Sequence, residues 1–273
     1  MRKFSSKAFL ALFAGASFLI LIAANGNCQQ ATGGGERAAA TAAGVEDEEL
    51  ALMALLAADW TNVEAHMRLG GYRERQNQPS LAAASYEQAA SLFTVLLASP
   101  DEKARGFARA GLIAASERLA LIKRAPGPSP EALKWEEQAF FLGSGNPAVL
   151  ALLAEDYLSF RRYNAALAVC DKGVSIPPRG DSDPDAAEVR HLRGISLYYL
   201  GDFDASAADY AEAEKLGLKT VELYGNWAFT LEGQERWMDA LAMWTKVATM
   251  DVPAENKAMV EEHIAKCKGR AAQ

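Results

Sequence analysis

Apolar and small residues recur along the second half of the chain in a pattern that stays on one face of a helix. An aromatic residue at i is followed by a small residue at i+3, a bulky one at i+7 and a small one at i+10. The three copies are Tyr163, Ala166, Cys170 and Gly173; Phe203, Ser206, Tyr210 and Ala213; and Trp237, Ala240, Trp244 and Val247. They begin 40 and then 34 residues apart. This spacing predicts stacked helix pairs, since each pair leaves an apolar face that only its neighbours can cover.

Each copy is the second helix of a pair, and the sequence also indicates the first. In the middle pair, Gly194 lies where a neighbouring helix must come close, and Gly201 lies where the first helix ends and turns. Weaker copies precede it at 69–89, at 100–143, where the pair is stretched, and at 150–173. The segment 179–184 is an inserted loop. We predict about five repeats within residues 46–273, followed by a capping helix over 254–268.

The middle copy resembles the tetratricopeptide repeat almost from end to end. The resemblance rests on Arg193-Gly194 and on the run Leu200-Gly201-Asp202-Phe203-Asp204-Ala205-Ser206-Ala207-Ala208-Asp209-Tyr210-Ala211-Glu212-Ala213. It implies an all-α fold, in which antiparallel helix pairs stack into a right-handed superhelical array. Half of the residues are apolar, and alternating strand patterns are short, which agrees with that fold class.

The N-terminus has the composition of an export signal. Basic residues at positions 2, 3 and 7 precede an uncharged apolar run over 8–24, so we assign residues 1–27 to a signal peptide and exclude them from the fold. Cys28 and the Gly/Ala-rich stretch after it, 28–45, resemble the lipidated cysteine and flexible tether of a bacterial lipoprotein. Asn25 and Asn27 depart from the lipoprotein pattern, so cleavage after Gly26 and an uncleaved membrane anchor remain alternatives.

Charge and motif content exclude several function classes. The net charge is −7, and removal of the signal peptide makes it −10, which opposes binding to a phosphate backbone. His66, His191 and His263 lie in separate repeats or caps, without the spacing of metal ligands, and phosphate-loop and nucleophile-elbow motifs are absent. We therefore expect no catalytic residues, no metal and no cofactor. Cys170 and Cys267 are too far apart in an extended array to form a disulfide.

The resemblance implies a binding groove along the concave surface, which is lined by the first helix of each pair. On three successive first helices, the groove positions of this sequence are Glu155 and Leu158; Glu188, His191, Ile195 and Tyr198; and Glu222, Phe229 and Glu232. Aromatic anchors among carboxylates suit a protein or peptide partner with apolar and basic side chains. The other interpretation is that the rings pack between helices and that the glutamates are merely solvated.

Three function classes follow from these observations. The favoured class is a non-enzymatic interaction scaffold of the bacterial cell envelope, exported to the periplasm and lipid-anchored, or otherwise secreted or signal-anchored. The alternative is a transport-accessory or small-molecule-binding lipoprotein that works beside a solute-uptake system, which a closed hydrophobic cavity would favour. The third is an envelope enzyme, for which the sequence offers no residues.

Overall fold

The computed structural model describes residues 48–125, 127 and 129–273, and these residues form twelve α-helices and no strand. The predicted signal peptide, the tether and Cys28 lie outside the described residues. The helices are α1 (48–58), α2 (Val63–Arg75), α3 (Pro79–Leu96), α4 (Glu102–Lys123), α5 (Pro130–Leu142), α6 (Pro147–Ser159), α7 (Tyr163–Val174), α8 (Pro184–Leu200), α9 (Phe203–Lys215), α10 (Val221–Gly233), α11 (Trp237–Ala248) and α12 (Ala254–Ala271).

Helix boundaries follow the capping residues of the sequence. At the start of α8, the Asp183 side chain accepts a hydrogen bond from the Ala186 amide, and Pro184 occupies the first turn, where its missing N–H costs nothing. At its end, Gly201 has a φ of +87°, the left-handed conformation that closes a helix. The predicted turn at Gly201 is therefore confirmed. The inserted loop is held by Arg179, which forms an ion pair with Asp183 at 2.5 Å.

The two helices of a pair approach closely where a glycine faces an aromatic ring. A Cβ atom added to Gly194 would lie 2.5 Å from Cε1 of Tyr210, and one added to Gly70 would lie 2.7 Å from Cε1 of Tyr86. Both pairs are 16 residues apart in sequence, so two different repeats use the same device. These contacts confirm the close approach predicted at Gly194.

The described residues fall into two compact units, 48–144 and 145–273. The first contains α1 to α5, and its main core includes Phe93, Leu112 and Leu119. The second contains α6 to α12, and its largest core cluster includes Tyr210 and Trp244. Within each unit, consecutive helices pack against one another, and α8 also packs against α6. The predicted pairs α2–α3, α4–α5, α6–α7, α8–α9 and α10–α11 are thus all present, and the all-α fold class is confirmed.

Two features extend beyond the predicted repeats. The capping helix is α12, which is three residues longer than expected and packs on α11. The helix α1 precedes the first predicted repeat and packs on α2 through Leu52, Leu69 and Tyr72. Among the residues that the structure describes, no helix combines the length and the apolar character needed to cross a membrane.

Candidate functional site

The candidate site is the surface carried by α6, α8 and α10, the first helices of three successive pairs; we call it the first-helix face. The capping helix α12 extends it, because equivalent positions of α8, α10 and α12 are spaced by 34 residues. Two rows of side chains result: the phenylalanine row is Ile195, Phe229 and His263, and the glutamate row is Tyr198, Glu232 and Lys266. Neighbours within these rows interact, which gives the face its electrostatic character.

Glu232 lies at the centre of the glutamate row and is 8% exposed. Its carboxylate accepts hydrogen bonds from Nε1 of Trp244 and Nδ1 of His263, each at 2.7 Å, and from the Lys266 ammonium. The structure therefore places Glu232 in the joint between the last pair and the capping helix, and not on an open groove as the sequence predicts. Solvation by water is replaced by three protein donors, two of them on α12.

These bonds determine the ionisation of the carboxyl group. Burial alone would raise the pKa of Glu232, but the bonds from His263, Lys266 and Trp244 outweigh it and lower the pKa to about 2. The residue is a carboxylate at neutral pH, and its charge is offset locally by Lys266. Burial, and then the negative charge of Glu232, raises the pKa of Tyr198 in the next helix.

The two predicted aromatic anchors are only partly accessible. Phe229 packs edge-on against Trp244 and against His263, with ring centroids 4.8 and 4.9 Å apart. Tyr198 packs against Phe203 at 5.5 Å and is also half-buried. The prediction of two large rings standing free in a groove is therefore corrected: each ring has an inner side that packs in the core and an outer side that solvent reaches. Phe229 is the more structural of the two, because the capping helix covers it.

Predicted residues of α8 and α6 divide between surface and core. His191 is 6% exposed, and its Nε2 accepts a hydrogen bond at 3.1 Å from Nδ2 of Asn226 on α10. That bond leaves the imidazole proton on Nδ1, which faces Glu188 at 3.5 Å. On α6, Leu158 is 4% exposed and belongs to the core, whereas Glu155 is exposed. The groove predictions at His191 and Leu158 are accordingly corrected to packing positions.

The accessible part of the face is acidic with an apolar floor. Glu188 retains 42% of its side-chain surface, and Glu222, which is 34 residues further on, is half-exposed and forms no ion pair with another described residue. Ile195 and Phe229 lie partly exposed on the helices that carry these two carboxylates. Such a surface can accept an aliphatic or aromatic side chain and place a cation beside a carboxylate.

Two open cavities adjoin this part of the fold. One, of about 440 Å³, lies beside Glu232 and is lined by Trp237 and Arg270, whose guanidinium group stacks on the indole at 5.8 Å. The other, of about 430 Å³, lies between the second helices α9 and α11, with Trp227, Ala208 and Ala211 among its lining residues. In the part of the chain that the structure describes, no group of three His, Cys, Asp or Glu side chains could hold a metal ion.

Sequence reasoning missed Asn226, His263 and Lys266. The signal was present, since Phe229 and His263, and likewise Glu232 and Lys266, are separated by the repeat period of 34 residues. In a stacked array, equivalent positions of neighbouring repeats touch. A search for complementary side chains at that separation would have found the pair of opposite charges.

The fold is that of tetratricopeptide-repeat proteins. Comparison with solved structures finds YrrB, described as a TPR protein with an unusual peptide-binding site, at a TM-score of 0.56, with 17% identity over 79% of this chain and 98% of that one. Two structures of MamA match with TM-scores of 0.51 and 0.52, at 19% and 20% identity, each over 71% of this chain and over 99% and 100% of theirs. No protein-family model and no curated protein matches the chain.

Proposed function

We propose that this protein is a non-enzymatic interaction scaffold that binds an extended segment of a partner protein along the first-helix face of residues 145–273. The observation that carries the proposal is the pairing of accessible carboxylates at Glu188 and Glu222 with the partly exposed apolar side chains of Ile195 and Phe229. A partner segment with apolar and basic side chains complements both features. The peptide-binding site described for YrrB supports this use of the fold.

The apolar leader over 8–24 supports a location in the bacterial cell envelope. Within the proposal, Cys28 carries the lipid anchor, and the stretch 28–45 is the tether that holds the helical array at the periplasmic side of a membrane. A soluble secreted form and a form held by its uncleaved signal are the other arrangements that the same leader allows. Each of them leaves the first-helix face available to a protein partner.

A peptide array tests the binding proposal directly. The full chain is applied to immobilised decapeptides that combine Leu and Phe with Lys and Arg, and to matched peptides in which Asp and Glu replace the basic residues. We expect retention on the basic series only, with binding that weakens as salt increases. Equal retention on both series, or retention on neither, would refute the proposed chemistry of the partner.

Variants then locate the binding surface. Tyr198→Ala removes a half-buried ring of the glutamate row, and we expect it to weaken retention by about thirtyfold, as truncation of a central anchor does. Glu188→Gln together with Glu222→Gln should weaken it about threefold to tenfold, mainly at low salt. Ala208→Glu, an exposed change at the cavity between α9 and α11, is the control. If only the control variant loses binding, the partner uses the second-helix side.

The alternative function, a transport-accessory protein for a small molecule, requires a closed apolar cavity. The cavity beside Glu232 and the cavity between α9 and α11 are open to solvent, and charged side chains line both. These features suit a small apolar ligand poorly, so the structure offers no observation in favour of this alternative.

A further inference from the structure

The helix α1 is apolar on every side, although it lies at one edge of its unit. Residues 50–58 carry no charge, and a helix without a polar face is normally buried. Its inner side, at Leu52, packs against α2 and is 1% exposed. On its outer side, Leu50 is 64% exposed and Met53 is 49% exposed. The outer side of α1 therefore lacks the cover that its composition calls for.

The last helix of the chain provides the contrast. The exposed positions of α12 include Lys257, Glu261, Glu262 and Lys268, which is the polar outer face that keeps the end of a repeat array soluble. At α1, the nearest carboxylates are already neutralised, because Glu49 pairs with Arg73 at 3.0 Å and Glu48 with Arg75 at 3.2 Å. The outer side of α1 thus resembles a stacking surface and not a terminal cap.

The rest of this chain is poorly suited to cover it. Between Cys28 and the start of α1, the sequence is rich in Gly and Ala, and Val45 is its one large aliphatic residue. Covering Leu50 and Met53 requires another apolar helix. Because the outer side has no charge, it gives no electrostatic selection for a partner of opposite sign.

We propose that α1 pairs with α1 of a second copy of the chain, antiparallel across a two-fold axis. The outward stripe consists of Leu50, Met53, Ala54 and Ala57, at i, i+3, i+4 and i+7. When two such stripes run antiparallel about the point between residues 53 and 54, Leu50 lies opposite Ala57 of the other copy, and Met53 lies opposite Ala54. Each large side chain meets a small one, which makes the surface self-complementary, as a two-fold interface requires.

The available area is sufficient for a specific contact. Leu55 and Trp60 flank the stripe and are 47% and 68% exposed. With them, the outer side of α1 offers about 500 Å² on each chain, so a symmetric pair buries about 1,000 Å², the lower limit for a specific interface. The contact is independent of the first-helix face, which lies in the other unit.

Sedimentation equilibrium of the full chain, purified from the producing cells in mild detergent, tests the proposal. Met53→Glu should weaken dimerisation by at least about tenfold, because it places a charge in an apolar contact. Leu81→Glu is the matched control, since Leu81 on α3 is 48% exposed against 49% for Met53. Combining Met53→Glu with Ala54→Lys should restore association, because the two new charges oppose each other across the two-fold axis.

Circular dichroism confirms that each variant keeps the helical content of the wild type. Dimerisation that is lost with Met53→Glu, kept with Leu81→Glu and regained in the double variant supports the pairing. Association that survives Met53→Glu would come from the leader or from another surface and would overturn it. A wild-type chain that stays monomeric up to about 100 µM would also overturn it, and flotation of such a monomer with phosphatidylcholine vesicles would assign the outer side of α1 to lipid.

Discussion

Replacing Glu232 by glutamine isolates the contribution of one buried charge to the joint between the last repeat and the capping helix. The shape of the side chain is kept, but Lys266 and His263 lose the negative charge that they contact. Breaking a fully buried ion pair costs about 3–5 kcal/mol of folding free energy. Here Lys266 retains 44% of its side-chain surface, so water offsets part of the loss. We expect Glu232→Gln to lower the free energy of unfolding by about 2–3 kcal/mol at pH 7.

The pH dependence gives a second and independent magnitude. An ordinary glutamate pKa of 4.5 falls to about 2 in the folded protein, a difference that corresponds to an upper value of about 3 kcal/mol. Because the folded pKa is the lower one, this stabilisation is complete above the unfolded pKa and is lost as the pH falls from about 4.5 towards 2. The wild type and Glu232→Gln should therefore differ at pH 7 and converge near pH 2.

Urea unfolding followed by circular dichroism at 222 nm measures both effects. Glu222→Gln is the matched control on the same helix, because it removes the same charge from a half-exposed side chain that forms no ion pair with any described residue. The control should change stability by less than about 0.5 kcal/mol. If Glu232→Gln costs no more than the control, or if its difference from the wild type is the same at pH 3 and pH 7, the assignment of Glu232 as a buried joint is wrong.

Two further predictions concern packing and the anchor. Gly194→Ala should destabilise the protein by about 1–3 kcal/mol, because the added methyl group would lie 2.5 Å from the Tyr210 ring, whereas Gly180→Ala, which has nothing within 4 Å, should be neutral in the same urea titration. Cys28→Ser should move the protein from the membrane fraction to the soluble fraction of producing cells. Failure of the wild type to incorporate labelled palmitate would exclude lipidation at Cys28.

The fold was predictable because its determinants are local. Gly194 and Tyr210 are 16 residues apart, Gly201 ends its own helix, and the helical offsets of each second helix repeat visibly along the chain. Each of these features constrains a single hairpin, so one copy of the motif is enough to recognise it. The five helix pairs and the capping helix follow from the repetition.

The site was predicted less well, because its residues depend on contacts between repeats. The position of Glu232 within α10 does not reveal whether water or another helix lies above it. That depends on α12, where Lys266 and His263 occupy the equivalent row positions and provide donors. The helix α1 was missed for a related reason: it has no partner helix in the repeat pattern, so periodicity gives no sign of it.

The glutamate row limits how this array can grow. Duplication of a repeat is the usual route by which such proteins lengthen, and it requires each unit to tolerate its own copy as a neighbour. A second copy of the segment 221–254 would set two Glu232 carboxylates against each other and would move Lys266 one repeat further away. Like charges in that buried position would repel without compensation. The last repeat is therefore specific to the end of the chain, and insertion of further units would have to occur upstream of α10.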